Sequence, residues 1–177
     1  KKEALQFAPK LRILDHTGGG RVKPGDHFDE YDVVLTTYGT LRRDALQFKD
    51  LRFDYCILDE AQAIKNAGTL SAKAARLLSA EYRLALSGTP VENHLGELWS
   101  LFEFLNPGML GSASVFGRAG RNPDAATRNV LARALRPFIL RRTKGEVARE
   151  LPAKTEQTIY CDLESRDRKL YDELRDY

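Results

Sequence analysis

Long apolar runs are missing from this chain of 177 residues. No stretch nears the roughly 20 consecutive apolar residues a bilayer-crossing helix needs, and no leader-type segment opens the sequence. A membrane partner is therefore not expected, and a cytoplasmic setting is. Cysteine is scarce. Cys56 and Cys161 lie far apart and form no metal-type pair, so both read as reduced, structural thiols. His16, His27 and His94 lack zinc-ligand spacing, which argues against a metal site built on them. Repeats and low-complexity tracts are absent as well. What is present, 42% apolar and 30% charged residues, suits a globular chain with one substantial core.

A phosphate-binding glycine loop is also lacking. Gly18 to Gly20, followed by Arg21 and Lys23, resembles one only at first sight, because such a loop ends in Gly-Lys-Ser/Thr and Lys23 is followed by Pro24. These glycines are expected in a surface turn. Acidic residues are sparse in one region. Residues 116 to 154 hold ten basic residues against Asp124, Glu146 and Glu150, a net +7 that leaves −4 for the rest. A charge run is usually a solvated face, but a basic block in an otherwise acidic chain leans towards a polyanion. Arg141 and Arg142 are its most compact pair.

The stretch Tyr55 to Gln62 organises the reading. Tyr55, Cys56, Ile57 and Leu58 suit a strand covered on both faces, and they run directly into Asp59 and Glu60. In open α/β sheets ligands sit at the carboxyl ends of strands. One carboxylate there can hold hydrated Mg²⁺ against nucleotide phosphates, and its neighbour can orient or deprotonate water. Taken alone the doublet is weak evidence, since many strands end in solvated charge.

Strands are expected at residues 11–14, 32–38, 55–58 and 82–86, with helices over 39–48, from Thr69 to about 80, and after Asn93. Leu41, Ala45 and Phe48 would form one buried stripe, and Leu70, Ala74, Leu77 and Leu78 another. Leu95, Leu98, Trp99, Phe102 and Leu105 would form a third. Thr36 and Thr37, at a strand's carboxyl end, could bond backbone phosphates or cap the following helix, and the two readings weigh equally. Ser87, Gly88, Thr89 and Pro90 form a stiff polar bend at the same edge as Asp59 and Glu60. After a Gly/Ser/Arg-rich loop come a basic helix over 125–136, the run Pro137 to Lys144, a strand over 155–161 and a final charged helix. The alternation argues for a doubly wound α/β layer.

Four separated stretches together resemble the Swi/Snf-type ATPases of helicase superfamily two. Asp32 to Asp44 is similar to that family's motif Ib, and Tyr55 to Asn66 to its motif II. Arg83 to Asn93, continued through Glu97–Leu101 and Phe104–Pro107, is similar to its extended motif III. Pro137 to Lys144, with Glu150 to Lys154 behind it, resembles the block that follows the family's helical protrusion. The resemblance implies an α/β fold: a partial RecA-like P-loop NTPase lobe, mostly parallel sheet with flanking helices, plus the protrusion and a lead-in to a second lobe. The implied divisions are 1–107, 108–145 and 146–177.

By that resemblance the whole protein would be an ATP-dependent translocase on double-stranded DNA. An RNA-polymerase-recycling member of the family, and a DNA- or protein-binding module without catalysis, are the alternatives. The cofactors would be ATP and Mg²⁺; the partners, duplex DNA, a second motor lobe and, in one alternative, RNA polymerase. A eukaryotic source would make the setting nuclear. Asp59 would coordinate Mg²⁺ and Glu60 would activate water. Gln62, Ser87, Gly88 and Thr89 would couple nucleotide state to DNA, while Thr37, Lys65, Asn93, Arg141 and Arg142 would touch its backbone. Gln62 stands where the family often has His, so coupling without titration near neutrality is expected. The loop over 117–124 is shorter than the family's protrusion, and Ser165 to Arg168 departs from the usual pattern. The phosphate loop would lie upstream of Lys1 and the arginine fingers in the second lobe, so these residues alone are expected to be inactive.

Overall fold

The computed structural model describes residues 2–21, 23, 25, 27–88, 95–112, 125–148, 150, 152, 155–160 and 162–176. The chain divides into two compact units, residues 1–130 and 131–177.

In the first unit, α1 (Lys2–Phe7) buries none of its residues, and β1 (Ile13–Asp15) pairs in parallel with β2 (Val33–Leu35). The strand expected over 32–38 stops at Leu35 because Thr37 adopts the cap position of α2 (Tyr38–Phe48), its hydroxyl accepting from the Thr40 amide. A helix that starts at Tyr38 takes those backbone groups away from any sheet.

The second parallel pair is β3 (Arg52–Leu58) with β4 (Ser79–Ala85), in register Tyr55 to Tyr82 and Leu58 to Ala85. Between them lie a 3-10 turn (Ala61–Ile64) and α3 (Leu70–Leu77), capped by the Thr69 hydroxyl on the Ala72 amide. This is the strand–helix–strand crossover that a parallel pair requires. It is also longer in strand than expected, since β4 begins at Ser79 and ends α3 early. α4 (Leu95–Leu105) follows. The fold is mixed α/β, parallel pairs with flanking helices; among the described residues the pairs form two sheets rather than one layer.

One core gathers Leu41 and Phe48 from α2, Cys56 and Leu58 from β3, Ala72, Ala74 and Ala75 from α3, and Phe104 from α4. Two expected stripes need correction. α3 turns its alanines inward and leaves Leu70 67% exposed, because small side chains let it lie close against α2. In α4 the deepest residues are Ser100, Phe102 and Phe104, and Trp99 sits at the edge with its indole N–H donating to the Gly111 carbonyl at 2.9 Å. The Arg83 guanidinium secures α4 by donating to the Phe104 carbonyl at 2.7 Å while covering the Phe104 ring.

The expectation that β3 is covered on both faces also fails in the described structure. Cys56 and Leu58 are buried, whereas Tyr55 and Ile57 are 64% and 57% exposed, since the helices pack on one face only. Tyr55 stacks on its cross-strand neighbour Tyr82, ring centroids 4.9 Å apart, which shields part of that open face.

The boundary between the units falls within α5 (Ala125–Leu135), and the second unit continues with a 3-10 turn (Arg136–Phe138), α6 (Lys144–Val147) and α7 (Ser165–Asp176). Thr143 starts α6, its amide and hydroxyl both donating to the Glu146 carboxylate, which holds that carboxyl below its ordinary range. The strand expected over 155–161 is not formed at 155–160. No neighbouring strand pairs with it among the described residues, and Ile159 and Tyr160 are 75% and 91% exposed. Cys161 lies outside the described residues.

A buried ionic cluster that sequence patterning did not suggest ties the loop after β1 to α2. Arg21 grips Asp44 with two bonds of 2.7 Å, and His16 Nε2 lies 3.1 Å from the same carboxylate, wedged between the rings of Phe28 and Phe48. The Arg21 bonds, foremost, hold the Asp44 carboxyl below its usual range. Replacing Asp44 with Ala strands the two partners, and denaturant unfolding should register a loss of roughly 3–5 kcal/mol at neutral pH. Because the folded-state value is lowered, this stabilisation is complete above the ordinary carboxylate range of about 4 and disappears as pH falls through the lowered value. Unfolding of Asp44→Asn measured against pH should show a flatter acid limb than the parent protein. A limb of equal slope would remove Asp44 from the account.

Candidate active site

Parallel pairing decides which residues share an edge. β3 and β4 run the same way, so the residues after Leu58 and after Ala85 emerge at one rim. The ladder extends one step beyond both strands: Leu86 N donates to the Leu58 carbonyl and Ala61 N donates to the Leu86 carbonyl, each at 2.8 Å. Asp59 and Glu60 therefore stand beside Leu86, Ser87 and Gly88.

The turn between β3 and the 3-10 segment is abrupt for a packing reason. Ala61 and Ile64 are fully buried, so the chain must reverse within two residues to carry them into the core. Glu60 absorbs the reversal in the left-handed region, φ 48 and ψ 49, where a side chain with a Cβ is disfavoured. Three contacts hold it there. The Glu60 amide donates to its neighbour's Asp59 Oδ1 at 2.9 Å, the Tyr38 hydroxyl donates to the Asp59 carbonyl at 2.9 Å, and the Gln62 side-chain amide donates to the Glu60 carboxylate.

Gln62 also accepts, at its Oε1, a 2.9 Å bond from the Ser87 hydroxyl. Its two ends thus join Glu60 to Ser87 across the rim, a task that uses the donor and the acceptor of one carboxamide. Asp59 and Glu60 are exposed, and Tyr38 beneath them is half-buried. Burial first, then the charges of Asp59 and its neighbours, pushes the Tyr38 phenol up to about 12, so it remains a donor throughout the neutral range.

Of the other expected site residues, Thr37 is engaged with Thr40, accepting from its amide and donating to its hydroxyl at 3.1 Å in each case. Its neighbour Thr36 donates to the His16 carbonyl. Thr37 thus adopts the capping alternative, whereas Thr36 bonds the loop after β1 and not the helix. Lys65 pairs with Glu97 at 3.5 Å and stays largely exposed. Gly88 is exposed in a bend, and Thr89 and Asn93 lie outside the described residues. Arg141 and Arg142 are exposed in the second unit. Tyr38 is the residue that sequence reasoning passed over. Its position directly after the Thr36-Thr37 pair was visible, but its reach to Asp59, 21 residues on, has no local signal.

No group of three His, Cys, Asp or Glu side chains able to hold a metal occurs among the described residues. A single exposed carboxylate suits Mg²⁺, which keeps several waters and takes its other ligands from phosphates, better than it suits an all-protein cage.

The SNF2-related domain family matches this chain over residues 1–176. YwqA of Bacillus subtilis, named for ATP-dependent helicase/translocase activity, is 40% identical over 98% of this chain and 20% of its own length. The TATA-binding protein-associated factor MOT1 of Saccharomyces cerevisiae is 36% identical over 97% of this chain and 10% of its own. The Sulfolobus solfataricus SWI2/SNF2 ATPase core, solved in complex with dsDNA, is 38% identical with a TM-score of 0.72, over 97% of this chain and 37% of that one. This chain therefore spans a tenth to a fifth of those two relatives' lengths.

The left-handed Glu60 has a measurable signature. At an ordinary position alanine is more stable than glycine by about 0.4–1 kcal/mol. At position 60 the order should reverse, with Glu60→Gly more stable than Glu60→Ala by about 1 kcal/mol, because both lose the carboxylate and only alanine keeps the strained Cβ. Equal midpoints, or a more stable alanine variant, would contradict this backbone geometry.

Proposed function

This chain belongs to the SNF2-related domain family, and on that premise we propose that it is the catalytic rim of an ATP-dependent translocase acting on double-stranded DNA. The observation that carries the reading is the Glu60–Gln62–Ser87 relay across the shared rim of β3 and β4. An acidic doublet alone can be solvated charge. A doublet whose second carboxylate is held in a disfavoured backbone turn and tied by an amide to the next strand's exit loop is built for position.

Each residue contributes something the chemistry needs. Asp59 presents an exposed carboxylate that would hold Mg²⁺, and the ion, when bound, neutralises charge on the nucleotide phosphates. Glu60 would orient and accept a proton from the attacking water. Gln62 fixes the Glu60 carboxylate and Ser87 fixes Gln62, so a displacement of the Ser87–Gly88 bend is felt at Glu60. A Swi/Snf relative was solved with duplex DNA, which supports a duplex partner, and Thr37, Lys65, Asn93, Arg141 and Arg142 would contact its backbone. Thr37 would exchange Thr40 for a phosphate oxygen, and Lys65 would exchange Glu97. Contacts of that kind read no sequence, as movement along any duplex requires.

In the full-length protein, Glu60→Gln should lower DNA-dependent ATP turnover by about 10²–10⁴-fold, the range for a positioned general base, while nucleotide binding persists. The 177 residues alone should show turnover no faster than buffer. A Glu60→Gln protein with unchanged turnover would end the motor reading in favour of a binding module.

A further inference from the structure

Tyr38 connects two segments that the translocase reading treats separately. The ladder between β3 and β4 passes over Asp59: Leu86 N takes the Leu58 carbonyl, and the Leu86 carbonyl takes Ala61 N. The Asp59 carbonyl is met instead by the Tyr38 hydroxyl at 2.9 Å. On the other side of the same peptide, the Glu60 amide donates to Asp59 Oδ1. The peptide plane between the two acidic residues is thereby held at both its polar atoms, next to a Glu60 backbone that has no intrinsic reason to stay at φ 48.

The other end of this contact is the first residue of α2. Thr37 caps that helix and Thr36 is tied to the His16 carbonyl, so Tyr38 sits where the β2 exit becomes a helix. That exit is the segment proposed above to meet the DNA backbone. A rotation or shift of the α2 start, as when Thr37 leaves Thr40 for a phosphate, moves the phenol and hence the Asp59 carbonyl. No third element need intervene.

We propose that Tyr38 is a positioning residue that transmits engagement of DNA at the start of α2 to the Asp59–Glu60 turn. The inference rests on the translocase reading. It differs from the Glu60–Gln62–Ser87 relay, which joins the acidic pair to β4 and not to β2. The phenol acts through the Asp59 carbonyl and touches neither nucleotide nor DNA. Its ring also packs on the core, a separate role that phenylalanine would keep.

The test is steady-state ATP turnover by the full-length protein carrying Tyr38→Phe, with and without saturating duplex DNA. The ratio of stimulated to unstimulated rate should fall about five- to tenfold, the size of one hydrogen bond lost. The KM for ATP and the half-saturating DNA concentration should stay within about twofold, and the melting midpoint should fall by no more than about 2–4 °C, the cost of that one bond, since the core keeps its ring. An unchanged ratio, whether or not both rates drop together, would overturn the inference and leave the translocase reading standing. A parent protein whose ATP turnover ignores DNA would remove that reading, and Tyr38's role with it.

Discussion

The parallel registration of β3 on β4 is the constraint from which the rest of the site follows. It sets Leu58 opposite Ala85, and the two further bonds at Leu86 carry the alignment past the strand ends. A slip of one residue would turn Cys56 and Leu58 out of the core and move Ser87 away from Gln62. Such a slip is opposed at both ends. Arg83 ties β4 to the Leu78 and Phe104 carbonyls, and the Ser100 hydroxyl ties α4 to the Ile64 carbonyl just beyond the acidic pair. The rim is thus anchored by groups outside the acidic pair.

That alignment was legible in the sequence, because parallel strands need only an apolar run, a crossover and a second apolar run to define a common edge. Helix starts were equally legible at Thr37 and Thr69, where a short hydroxyl side chain precedes an amphipathic stretch. The phase of α3 was legible only in part. Ala74 and Leu78 of the expected stripe are buried, but Ala72 and Ala75 complete the face while Leu70 and Leu77 stay exposed, because close approach to α2 outweighs the area a leucine would bury. The His16–Asp44–Arg21 cluster escaped for another reason: its members are separated by up to 28 residues, and no local pattern announces an ion pair closed by tertiary packing. Residues 155–160 show the converse error. A strand was expected there, but a strand is a property of two segments, and among the described residues no second one pairs with it.

Strain at Glu60 is the point where folding and function meet. The core demands Ala61 and Ile64, the sheet demands Leu58, and the two residues between must absorb the whole change of direction. Glycine would do so without cost at position 60, yet a carboxylate stands there. A sequence selected for stability alone has no use for that choice, whereas a site that must hold a carboxylate at a fixed angle does. The hydrogen bonds from Tyr38 and Gln62 and the one within the Asp59–Glu60 unit then serve two ends. They offset the strain, and they remove freedom from the carboxylate.

The same contacts also decide how the site answers to pH. A histidine at position 62 would change its donor pattern near neutrality and alter its bonds to Glu60 and Ser87 as it did so. Gln62 has no such transition, and the Tyr38 phenol keeps its proton up to about 12. The hydrogen-bonded frame around the acidic pair is therefore the same across the neutral range. Turnover that varied steeply between pH 6 and 8, about where histidine titrates, would not draw that dependence from Gln62 or Tyr38.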